Sequence, residues 1–147
     1  MRIGFYLANK GNVYDKLISA YTNSEFSHTE LIFGDDITFS SSPIDKGTRF
    51  SNINKFDLSC WIIFELDITK LNLTETYIKA EAKKLNNYKY DWVGIFFSQF
   101  LKLNIENNQK WWCSEVVAYL LGLKNKNVSP SELFLELLKN NYIKRVI

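Results

Sequence analysis

One histidine, His28, and two cysteines, Cys60 and Cys113, are the side chains in this sequence suited to a thiol nucleophile and an imidazole base. His28 lies in FSHTELIF, Phe26 to Phe33, a run that reads as a strand, where residues two apart face the same way. His28 and Glu30 therefore share a face, with Phe26 beside them, while Ser27, Thr29 and Leu31 point to the other side. A solvated sheet face would explain such a polar pair, and so would a reactive site. Cys113 stands at the head of CSEVVAYLLG, an apolar run with helical character. First-turn amides have no partners within their helix, and the dipole adds partial positive charge there. A cysteine at that point has its thiolate stabilised, its pKa lowered and its reactivity raised. A small buried hydrophobe is the competing reading for a lone helix-start cysteine, and for Cys60, inside the apolar strand CWIIFEL, it is the simplest one.

A thiol nucleophile needs a base within hydrogen-bond reach, and the base needs a polar neighbour to fix its tautomer. Cys113, His28, and either Glu30 or Ser40 would supply the three parts. Two other uses of the same residues are weaker. A Cys60–Cys113 disulfide would tie a strand to the helix start. A metal held by His28, Glu30 and Cys113 has acceptable ligand types, but structural zinc draws four ligands from recognisable pairs, and no Cys-x-x-Cys or His-x-x-x-His spacing exists here. No metal and no cofactor is expected.

These residues are carried by a readable series of elements. Arg2 to Ala8 predicts a strand, and Asn12 caps a helix over Val13 to Tyr21 with Asp15 at its third position. After the histidine strand, Gly34-Asp35-Asp36 predicts a tight hairpin turn into Ile37 to Ser41. Thr48 to Asn52 is a weak strand and Cys60 to Leu66 a strong one, rich in aromatic and β-branched side chains. A helix follows from Glu75 to about Asn86, capped by Asn72 or Thr74. Asp91 to Lys102 sets Trp92, Ile95, Phe96 and Phe100 three and four apart, on one helical face. Cys113 to Leu121 is the next helix, closed by Gly122. Ser129-Pro130-Ser131-Glu132 is a capping box with proline at the first helical position, opening a helix to about Lys139. Tyr142 to Ile147 reads as a last strand. Strands first and helices after argue for an α+β fold.

At 147 residues, with 46% apolar and 23% charged residues, the chain suits one globular domain, residues 1–147. Its formal charge of +2 includes no dense basic block, so nucleic acid is not an expected partner. The opening MRIGFYLANKGN is too interrupted for a secretory signal, and Trp92 to Leu103 is too short to span a bilayer. Two cysteines are too few for a disulfide scaffold and suit a reducing compartment, which makes a cytoplasmic or virion-associated protein the expectation.

The strand FSHTELIF, the following FSSSP, the mid-chain YKYDWVGI and the late WCSEVVAYLLG together resemble the circularly permuted branch of the NlpC-type papain-fold hydrolases. That branch includes the YiiX-like proteins, with the lecithin:retinol acyltransferase group as a more distant relation. Its mark is inverted order: histidine comes first, on a strand, and cysteine later, opening a helix. The resemblance runs from about Met1 to Gly122 and is most specific at Ser27-His28 and Trp112-Cys113-Ser114-Glu115. It implies an α+β, permuted papain-like fold, an antiparallel sheet packed on a helix that starts with the nucleophile. Cys113 would then be the nucleophile and His28 the general base and acid. Relatives place the third residue on the strand after the histidine strand, near Ser40, while the permuted bacterial proteins favour a glutamate, here Glu30. Glu30 would orient the ring only if strand twist brings it round; otherwise it lines the pocket.

Several further residues have two readings each. Trp111 and Trp112 would wall a substrate groove or pack in the core. Tyr6 would donate to a developing oxyanion or pack in the core. Asp91 and Trp92 match the family-like segment, although Asp91 is also a natural helix cap. The leading expectation is a cysteine hydrolase or acyltransferase working through an acyl-thioester on a peptide, lipid or other amide or ester, such as a cell-wall peptide or lipidated molecule. The alternative is a catalytically silent papain-like binding module in a viral or bacterial assembly.

Overall fold

The computed structural model of the chain describes residues 1–10, 25–90 and 110–146. Short apolar runs broken by turn residues build one sheet from β1 (Arg2–Leu7), β2 (Phe26–Ile32), β3 (Ile37–Ser42), β4 (Gly47–Asn52), β5 (Trp61–Leu66), β6 (Lys89–Tyr90), β7 (Lys110–Trp111) and β8 (Ile143–Arg145). Their spatial order is β7-β6-β4-β3-β2-β1-β5-β8. Neighbours are antiparallel except the two-residue pair β6 and β7, which is parallel. Three helices accompany the sheet among the described residues: α1 (Glu75–Leu85), α2 (Cys113–Leu120) and α3 (Pro130–Lys139). The architecture is mixed α+β, as expected. The simple order of strands and then helices is not kept, because β6, β7 and β8 are interleaved with the helices. The helices expected over Val13 to Tyr21 and Asp91 to Lys102 lie outside the described residues, as do Asp91 and Trp92.

Helix α2 packs on β2 and β3. Its Val116, Val117, Leu120 and Leu121 join Ile3, Phe5, Leu31 and Phe39 of the sheet in the main core. Both later helices end as their sequences direct. Gly122 takes φ 65°, with Leu123 N–H on the Ala118 carbonyl and Gly122 N–H on that of Tyr119, the paired bonds of a Schellman stop. Asn141 does the same for α3 at φ 54°. At the other end of α3, Ser129 and Glu132 exchange the two bonds of the predicted capping box.

Several local expectations are corrected. Thr74, not Asn72, caps α1, and Asn72 instead takes φ 55° at the end of the preceding 3-10 turn. In the hairpin the positive angle falls on Asp36, φ 60°. The last strand is shorter than Tyr142 to Ile147. Cys60 is not a core strand residue: it ends a 3-10 turn over Leu58–Cys60, half-buried, with its sulfur near the Asp57 carboxylate. Asp57 sets that turn by accepting the Ser59 N–H, a side-chain signal that apolar patterning does not register. Both cysteines are free, so the disulfide reading falls away.

The alternation along β2 is also broken once. Tyr6 pairs with His28 and Leu7 with Phe26, so Ser27 is an extra residue on β2, a β-bulge. Phe26 is thereby turned to the core face, where its ring lies 5.2 Å from those of Phe5 and Phe134, and it does not share the face of His28 and Glu30.

Gly47 marks a close backbone approach in the sheet. A Cβ there would stand 1.8 Å from the Tyr88 carbonyl oxygen, which accepts the Thr48 N–H. At Gly122, by contrast, no atom lies within 4 Å and only the backbone angle argues against a side chain. Gly47→Ala should therefore lower unfolding free energy by about 2 kcal/mol or more through forced strand separation, and Gly122→Ala by about 1 kcal/mol through strain alone. Urea denaturation of the two variants measures the difference, and equal losses would contradict it.

Candidate active site

The site begins with a helix start that is fixed from three directions. Trp112 is the N-cap of α2, its backbone extended at φ −100° and ψ 172°, and Cys113 is the first helical residue. Glu115 reaches back to the Trp112 N–H at 3.5 Å, supplying one half of a capping box. Ser114 donates to the Val128 carbonyl, and the Trp112 indole N–H points at both Ser114 Oγ (3.1 Å) and that carbonyl (3.3 Å). Just upstream, Ser41 of β3 donates to the Trp111 carbonyl at 2.6 Å. The approach to the cysteine is thus tied to the strand next to β2.

His28 reaches the sulfur from β2. The Cys113 side chain lies close enough to act on its ring, and its Nε2 lies 2.9 Å from Glu30 Oε1. Cys113 is 3% exposed, Glu30 0%, and the His28 side chain 16%. Burial opposes the protonated ring. The negative charge and hydrogen bond of the Cys113 sulfur, followed by the hydrogen bond and charge of Glu30, overcome it and push the His28 pKa up to about 9.

Glu30 is held by a partner that sequence reasoning missed. Arg49 of β4 grips the carboxylate with two parallel bonds, Nη1 to Oε2 at 2.9 Å and Nη2 to Oε1. Burial would raise the Glu30 pKa, but the His28 hydrogen bond and the Arg49 charge hold it below the usual carboxylate value. Burial likewise works against the Arg49 guanidinium, and Glu30 and Asp45 outweigh it and raise its pKa. Asp45, in the β3–β4 turn, accepts from Arg49 Nε at 2.7 Å. The result is an unbroken row of interacting side chains: Cys113, His28, Glu30, Arg49, Asp45. The missed signal is the spacing Asp45-x-x-x-Arg49 across a hairpin turn. It carries meaning only once the β3–β4 register is known.

That register explains how an arginine on β4 reaches a glutamate on β2. Arg49 pairs with Ser40, and continuing the β2–β3 register puts Ser40 opposite Glu30. The Ser40 hydroxyl folds back to donate to the Thr29 carbonyl at 2.6 Å, leaving room for the guanidinium to pass over it. Ser40 is therefore not the third member beside the imidazole; Glu30 is. On the other side of Glu30 stands Gly4, also without bulk. A Cβ on Gly4 would sit 3.0 Å from the Trp61 ring, which leans across from β5. Trp61 stacks on Phe56 (5.0 Å, 12°) and meets the rings of Tyr6 and His28 edge-on at 5.2 and 5.9 Å.

A groove of about 440 Å³ opens over this row of rings. Tyr6, His28, Phe56 and Trp61 line it together with Pro43 and Ile44 of the β3–β4 turn. Tyr6 lines the groove, and its hydroxyl donates toward the Lys10 carbonyl at 3.5 Å. Trp112 is not at the groove. It is buried, with its indole N–H spent on bracing the helix start. Trp111 packs on Tyr119 at 5.0 Å.

No helix among the described residues is long and apolar enough to cross a membrane. No protein-family model matches the chain, and none of the curated proteins matches it in sequence.

Two outcomes are expected from the charged row. Arg49→Leu strands a buried carboxylate and should cost about 3–5 kcal/mol of stability, whereas Asp45→Asn, whose partner remains paired to Glu30, should cost less than about 1 kcal/mol; denaturant titration compares them. The second outcome is a pH dependence. His28 has its folded pKa raised from 6.5 to about 9, so its contribution is fully present below pH 6.5 and is lost as pH rises through about 9. The shift corresponds to about 3 kcal/mol at most. Glu30, with its pKa lowered from 4.5, contributes above pH 4.5 and loses its contribution as the pH falls below that. The alkaline loss should disappear in His28→Gln and shrink in Cys113→Ser, read as the difference in denaturation midpoint from the parent between pH 6.5 and 9.5. A parent and His28→Gln that fall in parallel would refute the pairing.

Proposed function

We propose that the protein is a cysteine hydrolase or acyltransferase with a permuted papain-like arrangement, forming an acyl-thioester on Cys113 from an amide or ester substrate. The observation that carries this reading is the contact of the Cys113 sulfur, at the first residue of α2, with an imidazole whose far nitrogen is bonded to a buried glutamate at 2.9 Å. Thiol catalysis needs that combination: a nucleophile, an adjacent acid–base group, and a third group fixing the ring. A carboxylate in the third place stabilises the imidazolium better than a hydroxyl would, which favours an active enzyme over a silent scaffold. The chain order supports the permuted form, with the histidine strand β2 preceding the cysteine helix α2.

In the proposed cycle the thiolate attacks the substrate carbonyl carbon and His28 gives its proton to the departing nitrogen or oxygen. Water or a second acceptor then gives a proton back to His28 as it attacks the thioester, and the sulfur leaves as thiolate. First-turn N–H groups of α2 lie at the sulfur's end of the helix, where partial positive charge favours a developing oxyanion. Cell-wall peptides, lipidated molecules and protein-linked amides all have the required acyl bond.

p-Nitrophenyl acetate tests the chemistry directly. Intact-mass analysis should show one acetyl group, mapped to Cys113 and released by hydroxylamine, that is missing in Cys113→Ala. Iodoacetamide should label Cys113 at pH 7 about tenfold or more faster in the parent than in His28→Ala. No acetyl adduct, together with equal labelling in parent and variant, would leave a non-catalytic module.

A further inference from the structure

We infer that the groove over His28 is the leaving-group and acceptor subsite of this thiol site, and that it selects groups with a flat apolar body. This rests on the cysteine-nucleophile reading above and adds to it which side of the reacting carbonyl the groove serves. His28 lines the groove, whereas Cys113 is not among the described residues that do. A thioester has two sides: the acyl portion stays on sulfur, and the portion that departs or arrives exchanges its proton with the general acid–base group. A cavity that touches the imidazole and not the sulfur is placed for the second.

The lining says what kind of group fits. Phe56 and Trp61 stack with their planes nearly parallel, 12° apart, and Tyr6 meets Trp61 at 68°, so three rings gather next to the imidazole. Ile44, 79% exposed, also lines the groove beside Pro43, an apolar residue left in water that a bound ring would cover. Of the charged lining residues, Glu30, Arg49 and Asp45 are spent on one another and on His28, and Asp57 on Ser59, which leaves the exposed Lys55 as the charge that meets solvent. The volume of about 440 Å³ suits one aromatic side chain with its attached backbone better than a single small alcohol or water. Aromatic pairing and apolar burial should therefore discriminate between acceptors, while the proton transfer at His28 is common to all of them.

For an amine acceptor the balance is simple. The N–C bond forms as the S–C bond breaks, the amine proton passes to His28, and the thiolate is restored. Water gives the free acid by the same route, so the two products compete for one intermediate.

The test uses the parent chain, p-nitrophenyl acetate as acyl donor, and two acceptors of similar amine basicity, phenylalaninamide and glycinamide. Mass spectrometry reads the ratio of N-acetylated amide to free acetate for each. Phenylalaninamide should capture the acyl group at least about tenfold more efficiently than glycinamide. The preference should fall toward unity in Phe56→Ala and diminish in Ile44→Asp. Because both acceptors are compared within one variant, a loss of folded protein cancels from the ratio. Equal capture of the two amides by an enzyme that acetylates at Cys113 overturns the subsite assignment and leaves the nucleophile standing. Failure to acetylate Cys113 at all sinks both.

Discussion

A glutamate with no solvent exposure sits between a histidine and an arginine, and most of the local architecture follows from the need to keep it charged. An isolated buried carboxylate would take up a proton, because the cost of desolvating its charge is several kcal/mol. Two bonds from a guanidinium and one from an imidazole offset that cost. The requirement propagates outward: Ser40 must be small, and the β3–β4 hairpin must hold its register so that Arg49 arrives opposite Ser40. The ordering of the imidazole, and through it the contact with sulfur, is the last link in this chain of constraints.

The sheet supplies the rigidity those constraints need. Side chains on β2, β3 and β4 are positioned by a continuous antiparallel ladder, which fixes distances better than loops do. The helix bearing the cysteine is packed into the same core and pinned at its first turn by Ser114, Trp112 and Glu115. Ser41 then links the two halves through the Trp111 carbonyl. Adjacent serines on β3 thus have separate roles, Ser41 anchoring the approach to Cys113 and Ser40 clearing the way for an arginine.

How much of this could be read beforehand depended on the range of the interaction. Helix starts and stops were legible because their chemistry is contained within four or five residues: the Ser129–Glu132 box and the Gly122 stop both stand as the spacing implied. The shared face of His28 and Glu30 was legible from period-two alternation, and a single bulge at Ser27 was enough to misplace Phe26. Arg49 was invisible because its role is defined only across three strands, a relation no local window contains. Cys60 was misjudged for a different reason: Asp57 caps a 3-10 turn that halts the strand, so the apolar run begins at Trp61. Trp112, offered as a groove wall, is a brace because its indole nitrogen finds a serine and a carbonyl beneath it.

The sulfur and the imidazole belong to elements far apart along the polypeptide, with most of the sheet formed by the residues between them. Such non-local pairs close late, after the loop entropy separating them has been overcome. A nascent or unravelled chain therefore carries a cysteine with no imidazole beside it. The pair exists only once the tertiary structure is complete, so any chemistry proposed for it waits on the last contacts of folding.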